Sequence, residues 1–150
     1  MKVTICFDMD GTIADLYNVE NWLPKLNNHD PSPYKDANVM HNMSRLARYL
    51  NKANQRGHEV KIISWLAKDS TPQYDYLVAE AKRKWIEKHL PSVNFANMHF
   101  IPYGTPKTQF ADEHNLSILF DDSAEVRAEW GETAYTPNEI FEILKSIMEQ

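Results

Sequence analysis

Four short apolar runs, Val3–Phe7, Val60–Trp65, Met98–Ile101 and Leu116–Phe120, constrain this chain most, because stretches of helical periodicity separate them. Runs this short, rich in β-branched and aromatic residues, read as buried strands. Strands that alternate with helices require crossovers, so the expected fold is α/β: one domain over residues 1–150, with a three-layer Rossmann-like parallel sheet.

The helical stretches carry their own signals. Residues 38–55 place Val39, Met43, Leu46, Leu50 and Ala53 on one stripe, and Gly57 stops it. Residues 74–90 place Leu77, Val78, Ala81 and Trp85 on one face, ended by Pro91. A short helix is expected over 107–113, and another is capped by Ser123 and carries Val126 and Trp130. Thr136-Pro137-Asn138-Glu139 is a capping box opening a last helix with Ile140, Leu144 and Ile147 buried. Residues 15–37 fit neither pattern. They hold Pro24, Pro31 and Pro33 among asparagines and aromatics, and read as a small cap-like insert after the first strand.

With 43% hydrophobic and 25% charged residues, the chain can bury a core. A net charge of -5 argues against a non-specific grip on DNA or RNA, but not against a small anion held through a bound cation. Cys6 is the lone cysteine, which precludes an internal disulfide, and its apolar run makes it a buried small hydrophobe. No apolar stretch has the length of a membrane span or signal core, so a soluble, cytoplasmic protein without membrane contact is expected.

Ligands of open parallel sheets bind beyond the carboxyl ends of the strands. There the sequence puts Asp8-Met9-Asp10-Gly11-Thr12 after the first run, Ser64 near the end of the second, Lys107 after the third and Asp121-Asp122 after the fourth. The four carboxylates crowded on one rim need a positive partner. Oxygen donors without sulfur suit Mg²⁺, which commonly shares its site with phosphate oxygens, and Lys107 adds a fixed charge. That is the logic of phosphoryl transfer. Asp8 is the expected covalent nucleophile, and Asp10 the acid that protonates the leaving oxygen and then deprotonates water. Ser64 and nearby backbone N–H groups, those of Gly11 and Thr12 included, are the expected phosphate binders along with Lys107. Asp121 is the expected Mg²⁺ ligand, with Asp122 a direct or water-mediated partner.

These stretches, together with Leu119-Phe120 before Asp121, resemble the four motifs of the haloacid dehalogenase-like superfamily, in that family's order, over residues 1–130. The resemblance implies a Rossmann-like core, an aspartyl-phosphate and Mg²⁺ held by the Asp8 side chain, the Asp10 carbonyl and Asp121. The presence of Asp10 implies a phosphatase rather than a dehalogenase. Two branches are similar: small 5′-nucleotidase-like proteins and the phosphatase domain of polynucleotide kinase-phosphatases. Where the second branch carries an arginine after its serine, this chain has Lys68, which lacks the bidentate fork.

The expected substrate is a small phosphorylated molecule, a nucleotide or a nucleic-acid end, with a sugar phosphate or other metabolite as the alternative. Tyr17, Trp22, Tyr34, Trp65 and Lys68 are the candidates for recognising it, although the insert's aromatics also read as a small satellite core. So small an insert leaves the site open unless a second subunit of a homodimer covers it. Simpler readings stand beside these. Asp122 can cap the following helix, Lys107 can be a surface lysine with Lys68 in its place, and Lys82-Arg83-Lys84 reads as a solvated helix face. The six histidines show no metal-ligand spacing. A phospho-acceptor signalling module or a non-catalytic binding module is the rival class.

Overall fold

The structure is a computed structural model that describes residues 1–150. In chain order its elements are β1 (Val3–Phe7), β2 (Ala14–Asp15), α1 (Trp22–Asn27), α2 (Ser32–Asp36), β3 (Asn38–Val39), α3 (Met43–Gln55), β4 (Glu59–Trp65), α4 (Pro72–His89), β5 (Asn97–Ile101), β6 (Leu116–Phe120), α5 (Ala124–Trp130), β7 (Ala134–Tyr135) and α6 (Ile140–Met148). Five strands make one sheet in the order β5-β4-β1-β6-β7, every pair parallel. The fold is therefore α/β and Rossmann-like, with β1 at its centre.

Central strands of a parallel sheet are covered on both faces, which is why β1 is apolar at nearly every position. Ile5 and Phe7 face α3, α4 and α6, where they meet Leu46, Leu50, Trp85, Ile140 and Leu144. Cys6 faces the other way, with Ile63, Leu119 and Val126 of α5. Each such aliphatic side chain contributes about 1.5–3 kcal/mol by leaving water. Burial pushes the Cys6 thiol up to about 12, so it stays protonated and inert, as the sequence implied.

A third cluster joins the insert to the sheet. Leu16 and Tyr34 pack on Leu66 and Ala67 just beyond β4 and on Tyr74 and Val78 of α4. The Tyr74 hydroxyl donates to the Asp30 carbonyl at 2.8 Å, and Trp85 Nε1 donates to the Ala37 carbonyl at 2.8 Å. The ends of the insert close on each other through the antiparallel pair Ala14–Val39 and Asp15–Asn38.

Several boundaries differ from the sequence reading. Residues 38–42 are not helical. Asn42 caps α3 by accepting from the Arg45 N–H, and Val39, expected on the buried stripe, is exposed. Strand pairing with β2 outcompetes helix extension there. Helix α4 begins earlier, at Pro72 with Thr71 as its cap, and Leu77 lies on its exposed side. Residues 107–110 form a single 3₁₀ turn instead of a helix to 113. The capping box of Thr136 and Glu139 forms, but around a 3₁₀ turn that precedes α6. No helix is long and apolar enough to cross a membrane.

Candidate active site

The register of the sheet brings the acids together. Phe7 is level with Phe120, so Asp8 and Asp121 leave adjacent strands side by side, and the Asp8 N–H extends the ladder to the Phe120 carbonyl at 2.9 Å. The chain passes from β1 across to β4 and β5, then returns to β6 on β1's other edge. That reversal of direction beside β1 is where open α/β sheets hold their ligands.

Beyond Asp8 the chain turns tightly. The N–H groups of Thr12, Ile13 and Ala14 all donate to the Met9 carbonyl, and the Gly11 N–H donates to Ala14. Gly11 has φ +81°, and a Cβ there would lie 2.2 Å from Asp122 Oδ2. Only glycine fits between this turn and Asp122. The buried Thr12 hydroxyl donates to Asp8 Oδ2 at 2.9 Å. Gly11 and Thr12 were expected at the phosphate; the structure instead uses their N–H groups within the turn and the Thr12 hydroxyl on Asp8.

Lys107 is buried, which corrects the surface reading of that residue. Its ammonium donates to Asp8 Oδ1 at 2.9 Å and to Asp121 Oδ2 at 2.7 Å, beneath the Trp65 ring at 5.3 Å. Burial pulls this ammonium down, but Asp8 and Asp121 together outweigh burial and leave it above its ordinary value. Asp121 takes a further hydrogen bond from the Ser123 N–H at 2.9 Å, yet burial and Asp8 hold its carboxyl up against the pull of Lys107. Asp122, more exposed, is pushed up to about 8 by desolvation, then by the charge of Asp8. Ser123, not Asp122, caps α5 by accepting from the Val126 N–H.

Asp8, Asp121 and Asp122 each offer a carboxylate oxygen, and these oxygens lie within 4.8 Å of one another. Three hard anionic donors at that separation, with raised pKa values on two of them, are what a divalent cation would relieve. The residues present fit such an ion.

Asp10 turns its side chain away from this group. Its Oδ2 accepts from Lys82 Nζ at 2.9 Å. Burial raises the Asp10 carboxyl most, Lys82 opposes it, and Asp8 adds to the rise. Lys82 is the residue that sequence reasoning missed. Instead of standing on a solvated face with Arg83 and Lys84, it is fully buried. It also donates to Ser64 Oγ at 2.6 Å and to the Trp65 carbonyl at 2.7 Å, and lies 4.9 Å from the Tyr34 ring centroid. A signal existed: the buried stripe of α4 runs Tyr74, Val78, Lys82, Trp85 and Ile86, straight through the lysine. Ser64, expected at the phosphate, is likewise fully buried and engaged by Lys82.

A cavity of about 390 Å³ opens over this floor. Asp8, Asp10, Lys107, Asp121 and Asp122 lie at its base, while Ser64 does not line it. Tyr17, Trp22 and Tyr34 of the insert form one wall, and Trp65, Lys68 and Tyr103 the other. Tyr17 and Trp22 meet edge to face at 5.0 Å, with Tyr17 about half exposed, whereas Tyr34 is buried. Trp65 Nε1 donates to the Thr105 carbonyl at 2.8 Å, which fixes that wall.

No protein-family model matches this sequence, and no curated protein does. Among solved structures, a chain of the Pnkp1/Rnl/Hen1 complex aligns with 91% of this chain at TM-score 0.58 and 13% identity. The present chain spans 45% of that chain's length. D,D-heptose 1,7-bisphosphate phosphatase from Burkholderia thailandensis aligns over 100% of both chains at TM-score 0.59 and 10% identity. At these identities the likeness is one of fold alone: the chain shares the α/β, Rossmann-like fold of these two structures.

Proposed function

We propose that this chain is a haloacid dehalogenase-like phosphomonoesterase that works through an aspartyl-phosphate on Asp8 and requires Mg²⁺. The observation that carries the reading is the contact of one buried ammonium, Lys107, with both Asp8 and Asp121 on the floor of a cavity.

Asp8 attacks phosphorus while Asp10 delivers its proton to the leaving oxygen, so the ester P–O bond breaks and an alcohol departs. Asp10, now ionised, takes a proton from water as the water oxygen attacks the same phosphorus. The bond to Asp8 breaks, inorganic phosphate leaves and Asp10 is protonated again. The raised Asp10 carboxyl favours the protonated start of this cycle. Lys107 and Thr12 hold the two Asp8 oxygens in place. Asp8, Asp121 and the Asp10 carbonyl, together with Asp122, would hold Mg²⁺, which would offset the charge of the acids and the phosphate.

The aromatic walls favour a nucleotide or nucleic-acid end, since Trp22 and Tyr17 offer faces and edges to a base. The full-length likeness to a heptose bisphosphate phosphatase supports a second reading, a sugar phosphate. Phosphate release from nucleoside monophosphates, 3′-phosphorylated oligonucleotides and sugar phosphates, assayed side by side with Mg²⁺, separates the two. Turnover retained by Asp8→Asn defeats the mechanism. An acyl phosphate that persists for minutes points instead to a signalling module. The buried free thiol of Cys6 agrees with a reducing, cytoplasmic setting.

A further inference from the structure

We infer that Lys82 is a positioning residue that fixes the acid–base carboxylate of Asp10, with Ser64 and the Trp65 carbonyl as its anchors. The inference rests on the phosphatase reading and deepens it.

A lysine fully out of water is costly unless all three of its donors find acceptors. Those of Lys82 do: Asp10 Oδ2 at 2.9 Å, Ser64 Oγ at 2.6 Å and the Trp65 carbonyl at 2.7 Å. Two of the acceptors belong to β4, a strand inside the sheet, and the lysine itself stands on the long helix α4. The ammonium therefore ties Asp10, which lies in the tight turn after β1, to two rigid elements. Because an ammonium only donates, Asp10 Oδ2 must accept. A proton carried by Asp10 then sits on Oδ1, the oxygen with no partner in the protein, on a residue that lines the cavity. Lys82 thus decides both where the carboxyl points and which oxygen carries the proton. In the same way Ser64, buried and outside the cavity lining, acts through Lys82 instead of touching substrate.

Two substrates separate positioning of the acid from general structural support. An alkyl phosphate monoester needs its leaving oxygen protonated; p-nitrophenyl phosphate does not. The parameter read is kcat/KM, which reports the steps up to the aspartyl-phosphate, taken per folded molecule by circular dichroism. Lys82→Met is expected to lose on the order of 100-fold with the alkyl ester, the scale of general acid catalysis, and only a few-fold with p-nitrophenyl phosphate. Ser64→Ala, a small change that spares the ammonium, should show the same split in milder form. It is also the variant to read if Lys82→Met does not fold. Equal losses on both esters, or no loss, overturn the inference. So does a Ser64→Ala loss that ignores the leaving group, since that marks direct phosphate contact. A wild-type protein inactive on every ester overturns the phosphatase reading as well, whereas an active one with no split removes only the role of Lys82.

Discussion

Lys107 Nζ lies 2.9 Å from Asp8 Oδ1, an ion pair almost wholly out of water. The same nitrogen reaches Asp121 at 2.7 Å, so one cation screens two carboxylates on neighbouring strands. Lys107→Met leaves those acids facing each other. Breaking a buried ion pair from one side costs about 3–5 kcal/mol, and removing a preorganised charge at a reacting centre costs about 10²–10³-fold in rate. Urea unfolding should therefore show a large loss of stability, part of it recovered by millimolar Mg²⁺, and phosphate release should fall by at least the lower figure. Full turnover by this variant would remove Lys107 from the mechanism.

What was legible in the sequence, and what was not, follows from how each feature is stabilised. Strands β1, β4 and β6 announce themselves because burial inside a parallel sheet demands mainly apolar runs, and β5, at the sheet's edge and largely half-buried, does so through Met98, Phe100 and Ile101. Once they are parallel, their carboxyl ends share one rim, and Asp8, Asp10, Lys107 and Asp121 gather on it without any further information. The two-residue strands β2, β3 and β7 leave no periodic trace, because tertiary pairing alone holds them. The expected face of α4 ran through Leu77, Val78, Ala81 and Trp85. Val78 and Trp85 are buried as expected, but Lys82 lies on their stripe, four residues after Val78, while Leu77 is exposed. A lysine inside a buried stripe reads as surface until its acceptors are seen, and two of them lie on a strand eighteen and seventeen residues earlier.

Gly11→Ala tests the fit between the first turn and Asp122. The new Cβ would stand 2.2 Å from Asp122 Oδ2 and 2.9 Å from the Tyr17 ring, at φ +81°. Left-handed backbone costs a non-glycine residue about 1–2 kcal/mol, which a protein of ordinary stability survives. The displaced Asp122 is the larger effect. Mg²⁺ titration should show weaker binding, and turnover should drop on the order of 100-fold, the scale of an ångström-sized misplacement. A variant that keeps both would mean Asp122 is dispensable.

His58 gives the fold a pH dependence remote from the site. Its Nδ1 accepts from the Val3 N–H at 2.9 Å, at the start of the central strand, so this nitrogen must be unprotonated. Desolvation first, and then the charges of the N-terminus and Arg56, hold the imidazole below its ordinary value of 6.5. The unfolded chain therefore takes up a proton here before the folded one does. Stability from this contact is complete above pH 6.5 and declines as the pH falls through the lowered value. The melting temperature of the wild type should fall more between pH 7.5 and about 5 than that of His58→Gln. Parallel curves would show that the contact does not govern protonation.

The aromatic pair of the insert, an exposed Tyr17 beside a partly buried Trp22, carries the prediction about substrate. Tyr17 and Trp22 pack edge to face at 5.0 Å beside the acids, and Tyr17 is 48% exposed, more than an aromatic needs to be if its only task is to pack. Stacking of a base on an aromatic side chain is worth about 1–3 kcal/mol by alanine substitution, so Trp22→Ala should raise KM for a nucleotide roughly tenfold. The acids and Lys107 of the cavity floor are untouched, and kcat should change little. The same variant should leave KM for a sugar phosphate close to that of the wild type, because a sugar phosphate has no aromatic base to stack. Tyr34, buried against Leu66 and Tyr74, serves as the control for packing: Tyr34→Ala should lower the melting temperature by more than Trp22→Ala, whose side chain is only partly buried on the same cluster. If Trp22→Ala raises KM for both substrates alike, the wall encloses the phosphate or sugar, and the nucleotide reading gives way to the sugar phosphate.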